Sequence, residues 1–273
     1  MAGSRPSRTT PTPGSWTQNS RVVFSFVMTT APISGEESRR QVLGDLTAGV
    51  FVTLAVAAAT WTVLDLRATY VVQVTALYAA MVLLILVRLP DSLPRPGLGP
   101  ANRVTMVRTI LTLSLAGLAL HPDALSTLGR WWVVVLGTVI MVMDGFDGWV
   151  ARRTGTGTDF GARFDMETDA FLMLVLSVLV WAEGRAGFWV LMIGAMRYIF
   201  VGVSWVLPAL NGSLFPSFRR KLVCVIQGIA LLVALGPIIP GGVAVGVAAV
   251  ALAMLTWSFA VDSAWLLRQE AGA

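Results

Sequence analysis

A polytopic, all-α transmembrane bundle is the fold class this sequence predicts, and three observations carry it. Of 273 residues, 56% are hydrophobic and 13% charged, about half the charge of an average soluble domain, and mean hydropathy is +0.75. Apolar runs of close to twenty residues recur along the chain, the length a helix needs to cross a hydrocarbon core of about 30 Å. Basic residues gather in alternate connections between these runs, the pattern of a topology read by positive charge.

Residues 1 to about 40, rich in Ser, Thr, Pro and Arg without periodic apolar spacing, are expected to form a disordered tail. Residues 41–99 carry two spans, Leu46–Leu64 and Ala68–Val87, and a linker. Residues 100–273 form the main membrane domain, with six spans: Thr105–Leu120, Trp131–Trp149, Ala170–Ala182, Phe188–Leu207, Leu222–Leu235 and Val243–Leu267. The first apolar run begins too late for a cleavable secretory signal. Arg39 and Arg40, then Arg88, Arg95 and Arg103, then Arg152, Arg153 and Arg163, then Arg219, Arg220 and Lys221 fall on one side of these spans. That side is expected to be cytoplasmic, and an even number of spans puts both termini there. Topology and anionic lipid account for the net charge of +5, so no nucleic-acid partner is called for. The single Cys224 excludes an intrachain disulfide. His121, the only histidine, falls in a far-side loop and is expected to be solvated.

Carboxylates near lipid are costly, and a cation is the chemical reason to place several together. Asp144 and Asp147 are three residues apart, and Asp165 and Asp169 four apart, so each pair shares one face of a helix. Two antiparallel helices joined by the Gly-rich turn from Thr154 to Gly161 would bring the pairs together. Oxygen ligands of this kind suit Mg²⁺ or Mn²⁺, cations that bind phosphates at the same time.

The stretch reads D-x2-D-G-x2-A-R-x8-G-x3-D-x3-D through Asp144, Asp147, Gly148, Ala151, Arg152, Gly161, Asp165 and Asp169. At all eight positions it resembles the signature of the CDP-alcohol phosphotransferases. Upstream, Asn102, Thr105 and Arg108 resemble the N-x2-T-x2-R of that family's first core helix, and the resemblance extends from about Pro100 to the C-terminal helix. It implies two divalent cations on Asp144, Asp147, Asp165 and Asp169, clamping the diphosphate of a CDP-linked donor. Asp169 would also be general base on the acceptor alcohol. Gly148, Ala151 and Gly161 would let a nucleotide approach the backbone, although tight helix packing selects small residues as well. Arg152 would contact the diphosphate, Asn102, Thr105 and Arg108 would help bind substrate, and the enzyme would be a homodimer.

Arg197 lies inside the sixth apolar run and must face the bundle interior, pairing with an acid or binding an anionic acceptor. Lys221 and Gln227 resemble the ends of a K-x-K-T-x2-Q pattern of phosphatidylglycerophosphate synthases, while Val223 and Cys224 depart from its middle; Lys221 is thereby expected to help bind a phosphorylated acceptor, with Arg219 and Arg220 adding positive charge or serving as topology anchors. The expected reaction is phosphatidyl transfer from CDP-diacylglycerol to a small alcohol within the membrane, with release of CMP. Glycerol 3-phosphate leads as acceptor, ahead of inositol phosphate, inositol and serine; other CDP-alcohol donors would use the same chemistry. An ion-coupled transporter is the rival from another class, and a catalytically silent scaffold a third reading.

Overall fold

The computed structural model describes residues 35–88, 97–121, 124–154, 158–207 and 217–271. Among them eight α-helices follow one another and no strand occurs. They are α1 (Gly35–Leu64), α2 (Thr69–Arg88), α3 (Gly99–Leu118), α4 (Thr127–Thr154), α5 (Asp159–Ala182), α6 (Leu191–Val206, entered through a 3₁₀ turn at Phe188–Val190), α7 (Phe218–Leu235) and α8 (Gly241–Ala271). Each expected span has its helix, and the fold class is that of the sequence reading. Most helices start earlier than their apolar runs, because polar turns continue the backbone pattern beyond the lipid-facing length. α1 thus begins at Gly35, so residues 35–40 are helical, and residues 1–34 of the expected tail lie outside the described residues.

Among the described residues five helices are long and apolar enough to cross a membrane: Arg39–Leu64, Thr69–Arg88, Thr127–Gly145, Phe188–Val206 and Gly241–Arg268. The other three, α3, α5 and α7, fall below that measure because polar groups occupy their starts: Asn102, Arg103 and Arg108; the acids of α5; Arg219 to Lys221. α3 is the interior helix of the three, whereas α7 keeps one face exposed through Leu222, Val225 and Ile229. α3 packs against α1, α2, α4 and α5, while α5 also packs on α6 and α7, and α7 on α4 and α8. Most of α3 is accordingly buried, and a helix surrounded by protein need not match lipid in hydropathy.

One apolar core runs through α3, α4, α5, α7 and α8, with Leu115, Ile140, Leu176, Leu179, Leu231 and Leu235 inaccessible. A second joins α1 and α2 to the start of α3 through Val42, Leu46, Tyr78, Ile85, Leu98 and Met106, with Phe160 and Phe164 of α5 against it. At the opposite end of the bundle, buried hydroxyls link the same helices. Tyr70 Oη lies 2.6 Å from Ser114 Oγ, which lies 3.3 Å from Thr60 Oγ1, and Trp132 Nε1 donates to Thr60 at 3.2 Å. His121 is tied into this end, 2.7 Å from Gln73 Oε1 and edge-on to Tyr70. The expected solvated histidine is instead half-buried, because it follows α3 directly and lies against Gln73 and Tyr70 of α2.

Candidate functional site

The site grows from one face of α3. Asn102, Thr105 and Arg108 are spaced three apart and share that face, and all three are buried. Asn102 Nδ2 donates to the Leu98 carbonyl at 2.8 Å and Thr105 Oγ1 to the Ala101 carbonyl at 3.3 Å. Further along, Thr109 and Thr168 hydroxyls meet at 2.9 Å and fix the register of α3 against α5.

α5 begins where Thr158, in extended conformation, caps it by accepting the Gly161 N–H at 3.0 Å. Gly161 therefore sits in the first turn of a helix, which corrects its placement in the connecting turn. Its missing side chain has a local cause: a Cβ there would stand 2.3 Å from Asn102 Oδ1. The packing explanation for this glycine is thus met by α3. Gly161→Ala is expected to push α5 off Asn102 and cost about 1–3 kcal/mol, checked by thermal unfolding in detergent; unchanged stability would mean the two helices separate freely here.

Asp144 comes from the last turns of α4, Asp165 and Asp169 from successive turns of α5. One carboxylate oxygen from each lies within 4.8 Å of the others. Beneath them is the Arg108 guanidinium, whose side chain is 1% exposed against 42%, 37% and 44% for Asp144, Asp165 and Asp169. Nη1 reaches Asp165 Oδ1 at 2.6 Å; Nη2 reaches Asp144 Oδ1 at 3.0 Å and also Asp169. Such a guanidinium is tolerable in the bundle only because carboxylates surround it. Three carboxyl groups thus face a single guanidinium, and they outnumber it on the accessible side.

That arrangement fits a divalent cation. All ligand atoms are hard oxygens, they lie within 4.8 Å of one another, a span that one divalent cation can draw together, and they are more exposed than the arginine behind them. Asp144 is brought to Asp165 and Asp169 with the help of α3 and α7, each of which packs on both α4 and α5. α4 continues through Asp147, Gly148, Ala151 and Arg152 to Thr154, but their side chains lie outside the described residues, as do residues 155–157.

Three of the outlying arginines, Arg197, Arg219 and Arg220, have acidic partners. Arg197 on α6 pairs with Glu167 on α5 at 2.5 Å, as an intramembrane guanidinium must. Arg219 bonds Asp262, the Ser258 carbonyl at 2.9 Å and its hydroxyl at 3.0 Å, clamping α7 to α8. Arg220 lies 3.8 Å from Asp262, and Lys221 is exposed. Sequence reasoning missed Glu167, although the demand of Arg197 for an acid was a signal pointing to the neighbouring helix. It also missed that Arg108 underlies the aspartates, because no linear spacing joins α3 to α4 and α5.

Fold and site together define a polytopic membrane protein with an acidic, cation-type centre near one end of its bundle. Against known proteins, the CDP-alcohol phosphatidyltransferase family model matches residues 98–261. That is more than half the chain, and the protein belongs to this family. No curated protein and no solved structure matches it. It is thus an enzyme of the phosphotransferase class acting in phospholipid biosynthesis, in a family that is typically divalent-metal dependent.

Proposed function

We propose that the protein transfers the phosphatidyl group of CDP-diacylglycerol to a small alcohol, with glycerol 3-phosphate as the preferred acceptor. The observation that carries the reading is the set of three converging carboxylates over a buried arginine, in a chain of this family. Asp144, Asp147, Asp165 and Asp169 hold Mg²⁺ or Mn²⁺, two ions in all, and the cations when bound neutralise the diphosphate. Arg108 holds Asp144, Asp165 and Asp169 in one array, so that they need not reorganise when the anionic donor arrives. Asp169 takes the proton of the acceptor hydroxyl. The hydroxyl oxygen attacks the phosphatidyl phosphorus, the bond from that phosphorus to the oxygen of CMP breaks, and CMP leaves with the electron pair. Gly148, Ala151, Gly161 and Arg152 line the nucleotide, and Asn102 and Thr105 support it from α3. Basic residues at the site's end of the bundle favour a cytoplasmic site with cytoplasmic termini, and two copies form the working unit.

A neutral acceptor such as inositol or serine is the second reading, and a specific observation favours it: Glu167 already balances Arg197. The deciding experiment incubates purified protein with CDP-diacylglycerol, Mg²⁺ or Mn²⁺ and a panel of alcohols, scoring CMP and the lipid product. CMP release with glycerol 3-phosphate alone is expected; release with another alcohol alone would replace the acceptor, and none with any donor would remove the reading. In the same assay Arg197→Ala is expected to raise the acceptor KM by about 10-fold, one lost charge-assisted contact, while the donor KM stays put. Unchanged constants in a folded variant would make Arg197 a strut for Glu167.

A further inference from the structure

α1 and α2 lie outside the family match at residues 98–261, yet α1 reaches into the same end of the bundle as the acidic site. Asp45, with a side chain 13% exposed, accepts the Leu98 N–H at Oδ2, 3.0 Å away, and pairs through Oδ1 with Arg103 at 2.9 Å. Both partners belong to the start of α3. The backbone there is turned by Gly97 and Gly99, with φ of +74° and +79°, and a Cβ at Gly97 would stand 3.0 Å from Asp45 Oδ2. The same Leu98 residue passes the contact on, because its carbonyl accepts Asn102 Nδ2. Asn102 in turn is the surface against which Gly161 closes. The second apolar core runs parallel to this path. Leu46, Met106 and Tyr78 pack together with Phe160 and Phe164, which precede Asp165 on α5, and Tyr78 Oη donates to the Leu46 carbonyl at 2.6 Å.

We propose that the N-terminal helix pair is an integral part of the catalytic unit and that Asp45 is a positioning residue. By holding Leu98 and Arg103, Asp45 sets the start of α3 and hence the approach of Asn102 to α5, which carries Asp165 and Asp169. An outer hydrogen bond that orients metal-binding groups typically controls metal affinity by 10- to 100-fold. A path of several contacts belongs at the lower limit. The inference rests on the cation-site reading above, and its test therefore measures Mn²⁺ binding directly as well as CMP release.

In the full-length protein in detergent, Mn²⁺ affinity is read from the free-ion paramagnetic resonance signal for wild type, Asp45→Ala, Asp45→Asn and Thr60→Val. Thr60→Val is the control for loosening alone, since it weakens α1 against the core at the opposite end, away from the acids. Asp45→Ala is expected to raise the Mn²⁺ Kd and lower kcat/KM for CMP release by about 10-fold each. Asp45→Asn, which still accepts the Leu98 N–H, is expected to raise the Kd by about 3-fold. Thr60→Val is expected to lower thermal stability and leave the Kd in place. A Kd unchanged in Asp45→Ala, or raised equally by Thr60→Val, would overturn the proposal; should Asp45→Ala not fold, an unchanged Kd in Asp45→Asn overturns it. Wild type that binds no Mn²⁺ also overturns it. Wild type that binds Mn²⁺ with the expected changes in the variants but releases no CMP upholds the positioning role and removes the phosphatidyl-transfer reading instead.

Discussion

Asp169→Asn is expected to lower kcat for CMP release by about 10²- to 10⁴-fold, the contribution of a positioned general base. The amide keeps the size of the side chain and one coordinating oxygen, but it cannot take a proton from the acceptor. Its place at the accessible edge of the cluster, with Arg108 behind it, means that the array stays assembled around the substitution. Donor affinity, measured by thermal stabilisation with CDP-diacylglycerol, is expected to stay within a few fold while turnover collapses. A variant that turned over at the wild-type rate would remove Asp169 from the base role and leave it a ligand only.

Arg108→Leu carries the second large effect, and on stability rather than rate. The leucine fills the buried space but leaves Asp144, Asp165 and Asp169 repelling one another without a counter-charge. Removing one partner of a buried ion pair costs about 3–5 kcal/mol, and partial exposure of these carboxylates puts the expected loss near the lower figure. The sign of the metal effect is the informative part. Mn²⁺ replaces the missing positive charge, so it should raise the thermal midpoint of Arg108→Leu more than that of wild type. An equal rise in both proteins would mean that the cation and the guanidinium do not answer the same carboxylates.

Much of the fold was legible because hydrocarbon imposes its length on sequence. Leu46–Leu64 and Ala68–Val87 read directly as helices; α1 covers the first, and α2 covers the second from Thr69 on. Legibility falls where the solvent of a helix is protein. α3 opens with Pro100, Asn102, Arg103 and Arg108, and nothing in its composition says that four other helices enclose it. The acidic spacing gave Asp165 and Asp169 a common face because periodicity is local. The Arg108 guanidinium beneath that face and the Glu167 partner of Arg197 depend on which helices become neighbours, a tertiary outcome with no sequence period. Asp45 was the least visible, since one acid near the start of an apolar run reads as an interfacial charge until Leu98 and Arg103 are seen on it. Gly161 shows the converse, a motif position whose small size Asn102 on α3 already explains, whatever the proposed nucleotide contact adds.

The central claim is that the three described aspartates, with Asp147, form a divalent-cation centre for breaking the CDP diphosphate. It is tested most directly by following CMP release from CDP-diacylglycerol and glycerol 3-phosphate in wild type, Asp144→Asn and Asp165→Asn across a titration of Mg²⁺ after chelation with EDTA. Wild-type activity is expected to vanish in EDTA and return with Mg²⁺, and both variants to need a higher Mg²⁺ concentration for a lower maximal rate. Full turnover in excess EDTA, or the wild-type Mg²⁺ dependence in both variants, would contradict it.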